Sequence, residues 1–129
     1  MAYKKDMGAA AHRHLDAAEA LEKRHESVAA YLYGLAAECA LKACIPELAE
    51  LRDREVGFAH FPKLRTLALD RLVGRRGQAL RRWLEQSAAL SHWDITIRYS
   101  ATGEVKPDQV ERWASAARDA VNLMTSLAG

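Results

Sequence analysis

The stretch Tyr31–Ile45, YLYGLAAECALKACI, constrains this chain more than any other. Drawn as a helix it is apolar on almost every bearing. Val28, Leu32, Leu35 and Cys39 make one stripe, and Leu41, Cys44 and Ile45 make another. A helix apolar nearly all round has to be covered on several sides, which puts it at the centre of the fold. It is shorter than a bilayer span and is interrupted by Glu38 and Lys42, so no membrane partner is expected. Gly34, Ala36, Ala37, Ala40 and Ala43 are small enough to let neighbouring helices come close. Glu38 is the anomaly, because removing a carboxylate from water is costly. Lys42 follows four residues later, in the favourable Glu-before-Lys order, and offers part of the compensation.

The rest of the chain supplies the cover. Lys5–Glu22 is amphipathic, with Met7, Ala11, Leu15, Ala18 and Leu21 at three- and four-residue steps. Pro46 ends the central helix or opens one further turn, since Glu47–Arg54 still reads as helical. Gly57–Pro62 reads as a loop, Lys63–Val73 as a helix, Gly74–Gly77 (GRRG) as a turn, and Gln78–Leu90 as another helix. In Ser91–Ser100, Trp93, Ile95, Ile97 and Tyr99 alternate with polar residues, a period of two that predicts an extended segment. Pro107 and Asp108 suit the start of a last helix, whose stripe is Val110, Trp113, Ala114, Ala117, Val121, Met124 and Leu127. Alanine dominates the composition and there are only three prolines. The expected architecture is therefore all-α: one domain over residues 1–129, an antiparallel bundle of four to five helices with an extended segment before the last one.

The polar and reactive residues narrow the chemistry. Cys39 and Cys44 are five apart on one helix, so they point to different bearings and read as buried fillers in a reducing cytosol. The N-terminal MAYKKDMGAA has no apolar signal core, and a cytoplasmic protein is expected. His12 and His14 cannot share a helix face, and no metal or cofactor is expected. Charge is uneven. Residues 61–82 carry Lys63, Arg65, Arg71, Arg75, Arg76, Arg81 and Arg82 against Asp70 alone, while the flanking segments are each slightly acidic. Such a band attracts phosphate or an acidic partner, with Arg75, Arg76, Arg81 and Arg82 as the candidate contacts.

Three landmarks in order, GLAAECALKA, then His60-Phe61-Pro62-Lys63-Leu64, then Arg98-Tyr99, resemble the HEPN domain, a helical-bundle family. The resemblance covers most of residues 8–127. In that family the central helix often reads much like AAECALKA, the next landmark is His-Asp-Leu or similar, and a later segment ends in Arg-Tyr. Some members are metal-independent ribonucleases, often toxins neutralised by a partner nucleotidyltransferase. Their mark is Arg, four to six residues, then His, near the start of a late helix. There imidazole moves the proton of a ribose hydroxyl and guanidinium holds the phosphate. This chain has no histidine after Arg98, so that position lacks the motif. Arg54 and His60 match the spacing in an earlier loop, and His92 precedes Arg98 in the reverse order.

The resemblance thus implies a non-catalytic binding or assembly module, contacting RNA, a nucleotide or a nucleotidyltransferase partner. The alternative is an RNA-cleaving toxin, paired with an antitoxin, that uses a displaced set drawn from Arg54, His60, His92 and Arg98. Two structural expectations accompany it. Glu38 and Arg98 should meet, making with Lys42 and Tyr99 a buried polar core in which losing either partner costs about 3–5 kcal/mol. Trp83, Trp93 and Trp113, with Tyr31, Tyr33 and Tyr99, exceed what a small bundle is expected to bury, which predicts a two-fold homodimer.

Overall fold

The computed structural model describes residues 3–45, 60–70, 72, 74–86 and 90–128, apart from the side chains at 76 and 86. Within them are five α-helices and one 3₁₀ helix: α1 (Met7–Leu21), α2 (Glu26–Cys44), α3 (Lys63–Leu69), α4 (Gly74–Gln86), η1 (Ile95–Tyr99) and α5 (Pro107–Ala128). The chain is an all-α bundle, and no strand occurs among the described residues.

The central position of α2 follows from its composition. It buries Ala29, Ala30, Tyr33, Gly34, Ala36, Ala37, Ala40, Leu41 and Cys44 together with Glu38 and Lys42. It packs against α1, against α5 and against η1. Residues 22–25 alone join α1 to α2, so the pair forms a tight helical hairpin. Asp6 caps α1 by accepting from Ala9 N–H at 3.0 Å. At the other end α2 stops at Cys44, and Ile45 is extended at φ −122° and ψ 87°, as the residue before Pro46 tends to be.

Two local expectations need correction. The segment before the last helix is not extended. Ile97 N–H donates to the Asp94 carbonyl at 3.0 Å and Ser100 N–H to the Ile97 carbonyl at 2.9 Å, the i→i+3 bonds of η1. A lone strand would leave its backbone groups without a ladder, whereas a 3₁₀ turn satisfies them internally. Asp94 starts the turn, its Oδ1 accepting from Thr96 N–H at 2.9 Å and from the Thr96 hydroxyl at 2.7 Å. The GRRG sequence, in turn, opens α4 rather than preceding it. Gly74 has φ +72°, and Gly77 is small because the Leu72 backbone passes over it. The Glu47–Arg54 helix expected from the sequence lies outside the described residues, as does Arg54 itself.

Large aromatics fill the space that the alanines leave. Trp83, Trp93, Trp113 and Tyr33 are all buried. Each indole N–H donates to a backbone carbonyl elsewhere in the fold: Trp93 to Ala30 at 2.9 Å, Trp83 to Ala116 at 3.1 Å, Trp113 to Ser91 at 3.0 Å. These rings are internal braces, so most of the aromatic argument for a homodimer falls away. An alanine-rich core has few bulky aliphatics, and the indoles take their place.

Candidate functional site

The buried carboxylate of α2 has found its partners, and they are not the expected ones. Glu38 is 2% exposed. Its Oε1 lies 2.8 Å from His60 Nδ1, and its Oε2 accepts from Phe61 N–H at 2.8 Å. An ionised carboxylate can only accept, so Nδ1 carries the proton and Nε2 is the ring nitrogen left for solvent or a ligand. Phe61 is itself buried, its ring edge-on to Trp83 at 6.3 Å and 70°. The latch therefore ties the start of α3 to the middle of α2 and to α4. Lys42, one turn on, is buried as well. Burial holds its ammonium below the ordinary lysine value, and the nearby Glu38 charge offsets part of that effect.

Arg98 and Tyr99 do not join this polar core. Tyr99 is 75% exposed, and the Arg98 guanidinium lies over its ring at 4.8 Å. No ion pair links Arg98 to Glu38. The η1 turn aims residues 98 and 99 outward and keeps only Ile95 and Ile97 half-buried against the core. A backbone N–H, which no side-chain inventory lists, took the place assigned to the guanidinium.

A cleft of about 310 Å³ is lined by Phe61, Pro62, Arg65, Glu85, Leu90, Ser91 and His92. His60 directly precedes this wall, and its side chain is 41% exposed. The His60 charge acts on Asp94, whose carboxyl is held below the usual range chiefly by its hydrogen bonds to Thr96. Leu90 and His92 sit at φ 59° and 67°, the left-handed region that side chains beyond glycine rarely adopt. Periodicity in the sequence carries no sign of this turn.

The basic band separates into two kinds of arginine. Arg81 donates to the Leu69 carbonyl at 2.8 Å and to Glu85 at 3.3 Å, while Arg65 Nε donates to the Leu84 carbonyl at 3.4 Å. These two hold α3 against α4. Arg75 and Arg82 are exposed and have no partner among the described residues. The side chain of Arg76 lies outside the described set.

A second polar cluster escaped the sequence reading. Buried Tyr33 donates its hydroxyl to Glu22 at 2.9 Å, and Arg118 reaches Glu19 at 3.5 Å with its guanidinium 5.9 Å from the Tyr33 ring. Burial first, and then the Glu22 hydrogen bond, pushes the phenol well above its ordinary value. This cluster closes the α1–α2 hairpin onto α5. Neither Cys39 nor Cys44 is in a disulfide, and burial raises the Cys39 thiol to about 11. Among the described residues no group of three His, Cys, Asp or Glu side chains could hold a metal ion, and no helix is long and apolar enough to cross a membrane. No family model, curated protein or solved structure matches the chain.

Proposed function

We propose that the chain is a non-catalytic binding and assembly module of the HEPN type. The observation that carries this reading is the Glu38–His60–Phe61 latch. The imidazole nearest the resembling motif is spent on anchoring a loop to the core, and the late helix has no histidine to replace it. What such a module offers a ligand is the outer face of α4, where Arg75 and Arg82 stand free to meet phosphate. RNA, a nucleotide or an acidic face of a nucleotidyltransferase or antitoxin partner has the matching charge.

The RNA-cleaving reading draws on one observation of its own. A carboxylate bound to Nδ1 is the arrangement that leaves Nε2 as a proton acceptor, and His92 lines the adjoining cleft. Expression of the chain alone separates the two. A binding module leaves growth and cellular RNA intact. Growth arrest with cleaved RNA, abolished by His60→Gln, would overturn the non-catalytic reading in favour of the toxin.

A further inference from the structure

A cleft of about 620 Å³ lies between η1 and the start of α5. Ile97, Val105 and Trp113 give it an apolar lining. Two carboxylates, Asp94 and Glu104, line it as well, one opening η1 and the other in the loop before α5. Each is already fixed through one oxygen. Asp94 Oδ1 accepts from the N–H and the hydroxyl of Thr96, at 2.9 and 2.7 Å. Glu104 Oε2 accepts from Ala101 N–H at 3.2 Å. These bonds hold both side chains in place and leave Asp94 Oδ2 and Glu104 Oε1 without a partner among the described residues. Ser100 lines the same cleft, and its hydroxyl oxygen is buried with no hydrogen-bond partner among the described residues. A buried hydroxyl left unbonded is a standing cost that a ligand can remove.

We propose that this cleft binds a small primary amine, its ammonium held by Asp94, Glu104 and Ser100 and its apolar body by Ile97, Val105 and Trp113. An ammonium has three N–H donors and no acceptor, and three oxygens of the lining await a donor. Serine has a single side-chain torsion, so its oxygen reaches an incoming donor by one rotation. Asp94 stays ionised below the usual carboxylate range because of its bonds to Thr96. His92 is the one residue of the lining that can carry a positive charge. Other cations stand around the cleft without lining it. Lys106 donates to the Gly103 carbonyl at 3.0 Å, and Arg98 is stacked on the Tyr99 ring. Lys23, Arg24 and His25, with Glu26, line the neighbouring cleft that shares Val105. Arg112 and Asp119 line the one that shares His92 and Trp113, and the His60 charge acts on Asp94 from α3's side. This outer ring repels a polyamine or a lysine-rich segment, whose further charges would fall among it. A single ammonium between the two carboxylates escapes that penalty, so the ligand is a monocation. None of these residues belongs to the α4 face of Arg75 and Arg82, and the proposal is independent of that face.

Calorimetric titration with phenethylamine at low ionic strength tests this. The expected result is saturable one-to-one binding with a Kd of about 1 mM or tighter. Phenethyl alcohol has the same body and no charge, and should bind about tenfold more weakly or not at all. Asp94→Asn and Glu104→Gln each keep the oxygen that the loop uses and remove only the charge. Each should weaken amine binding about tenfold, and Ser100→Ala about threefold. Glu111→Gln, in the separate acidic cleft beside Glu22 and Glu26, should leave it unchanged. Circular dichroism shows that the variants are folded. Absence of saturation overturns the proposal, as does equal binding of the alcohol, indifference to both carboxylate variants, or spermidine binding more tightly than the monoamine. A blocked peptide with one lysine separates the two sources of such a group. Tighter binding than the free amine, lost in the same variants, assigns the cleft to a partner's side chain; weaker binding assigns it to a free amine. RNA binding through α4 does not report on this cleft, so the proposed function stands or falls separately.

Discussion

Glu38 shows how a single residue organises its surroundings. It was conspicuous in the sequence because a carboxylate on an otherwise apolar helix needs a reason. Its need for partners was therefore legible, but their identity was not. Charge logic nominated Arg98, and the fold supplied one imidazole and one backbone N–H instead. The two differ in what a substitution does. Glu38→Ala strands a buried N–H and releases the His60 ring, and should cost about 2–3 kcal/mol, since an unsatisfied buried group costs about 1–3. Glu38→Gln keeps a carbonyl oxygen for Phe61 N–H, and its amide can donate to Nδ1 of the other histidine tautomer. It should cost about 1 kcal/mol, a neutral hydrogen bond replacing a charge-assisted one. Urea denaturation of the two variants measures the difference, and equal losses would mean that the carboxylate charge itself is required.

At the level of elements, the helices with a clean apolar stripe were readable and the segments between them were not. The stripe on α5 is buried as its spacing predicted, from Val110 through Trp113, Ala117 and Val121 to Met124. The η1 segment misled because alternation over five residues looks like a strand, while a single Asp94 cap is enough to close a 3₁₀ turn. Its approach to α2 depends on one small residue. A Cβ added at Gly34 would overlap the Trp93 indole, which is buried there and bonded to the Ala30 carbonyl. In an isolated helix Gly34→Ala would gain about 1 kcal/mol from propensity. In this protein it should instead lose stability by about 1–3 kcal/mol, because the core is overpacked and the indole has to move. Thermal unfolding decides the sign, and a stabilised variant would show that η1 shifts freely.

For the whole molecule, net charge conceals more than it reveals. A value of +2 describes a chain in which residues 61–82 are strongly basic between slightly acidic flanks. The band was legible as composition, but its division was not, because Arg65 and Arg81 point to carbonyls that only folding brings near. Replacing all the arginines at once would mix loss of a ligand contact with loss of the α3–α4 clamp. Arg75→Gln together with Arg82→Gln isolates the surface part. If each contacts one phosphate of single-stranded RNA, the pair should lower the slope of log affinity against log salt by about 1.4, at ~0.7 per phosphate. Stability should stay unchanged. A slope that does not move would make this face a solvated one.

The three indoles have a practical consequence. Each is buried, and each reports on a different junction: Trp93 on η1 against α2, Trp83 on α4 against α5, Trp113 on α5 against the turn at Ser91. Emission from a tryptophan shifts to longer wavelength when its ring meets water, so opening of the bundle is visible without an added dye. Variants keeping one tryptophan, with the other two changed to phenylalanine, would resolve the junctions by colour. Whether α4 peels away before η1 lifts off is then a matter of which spectrum moves first.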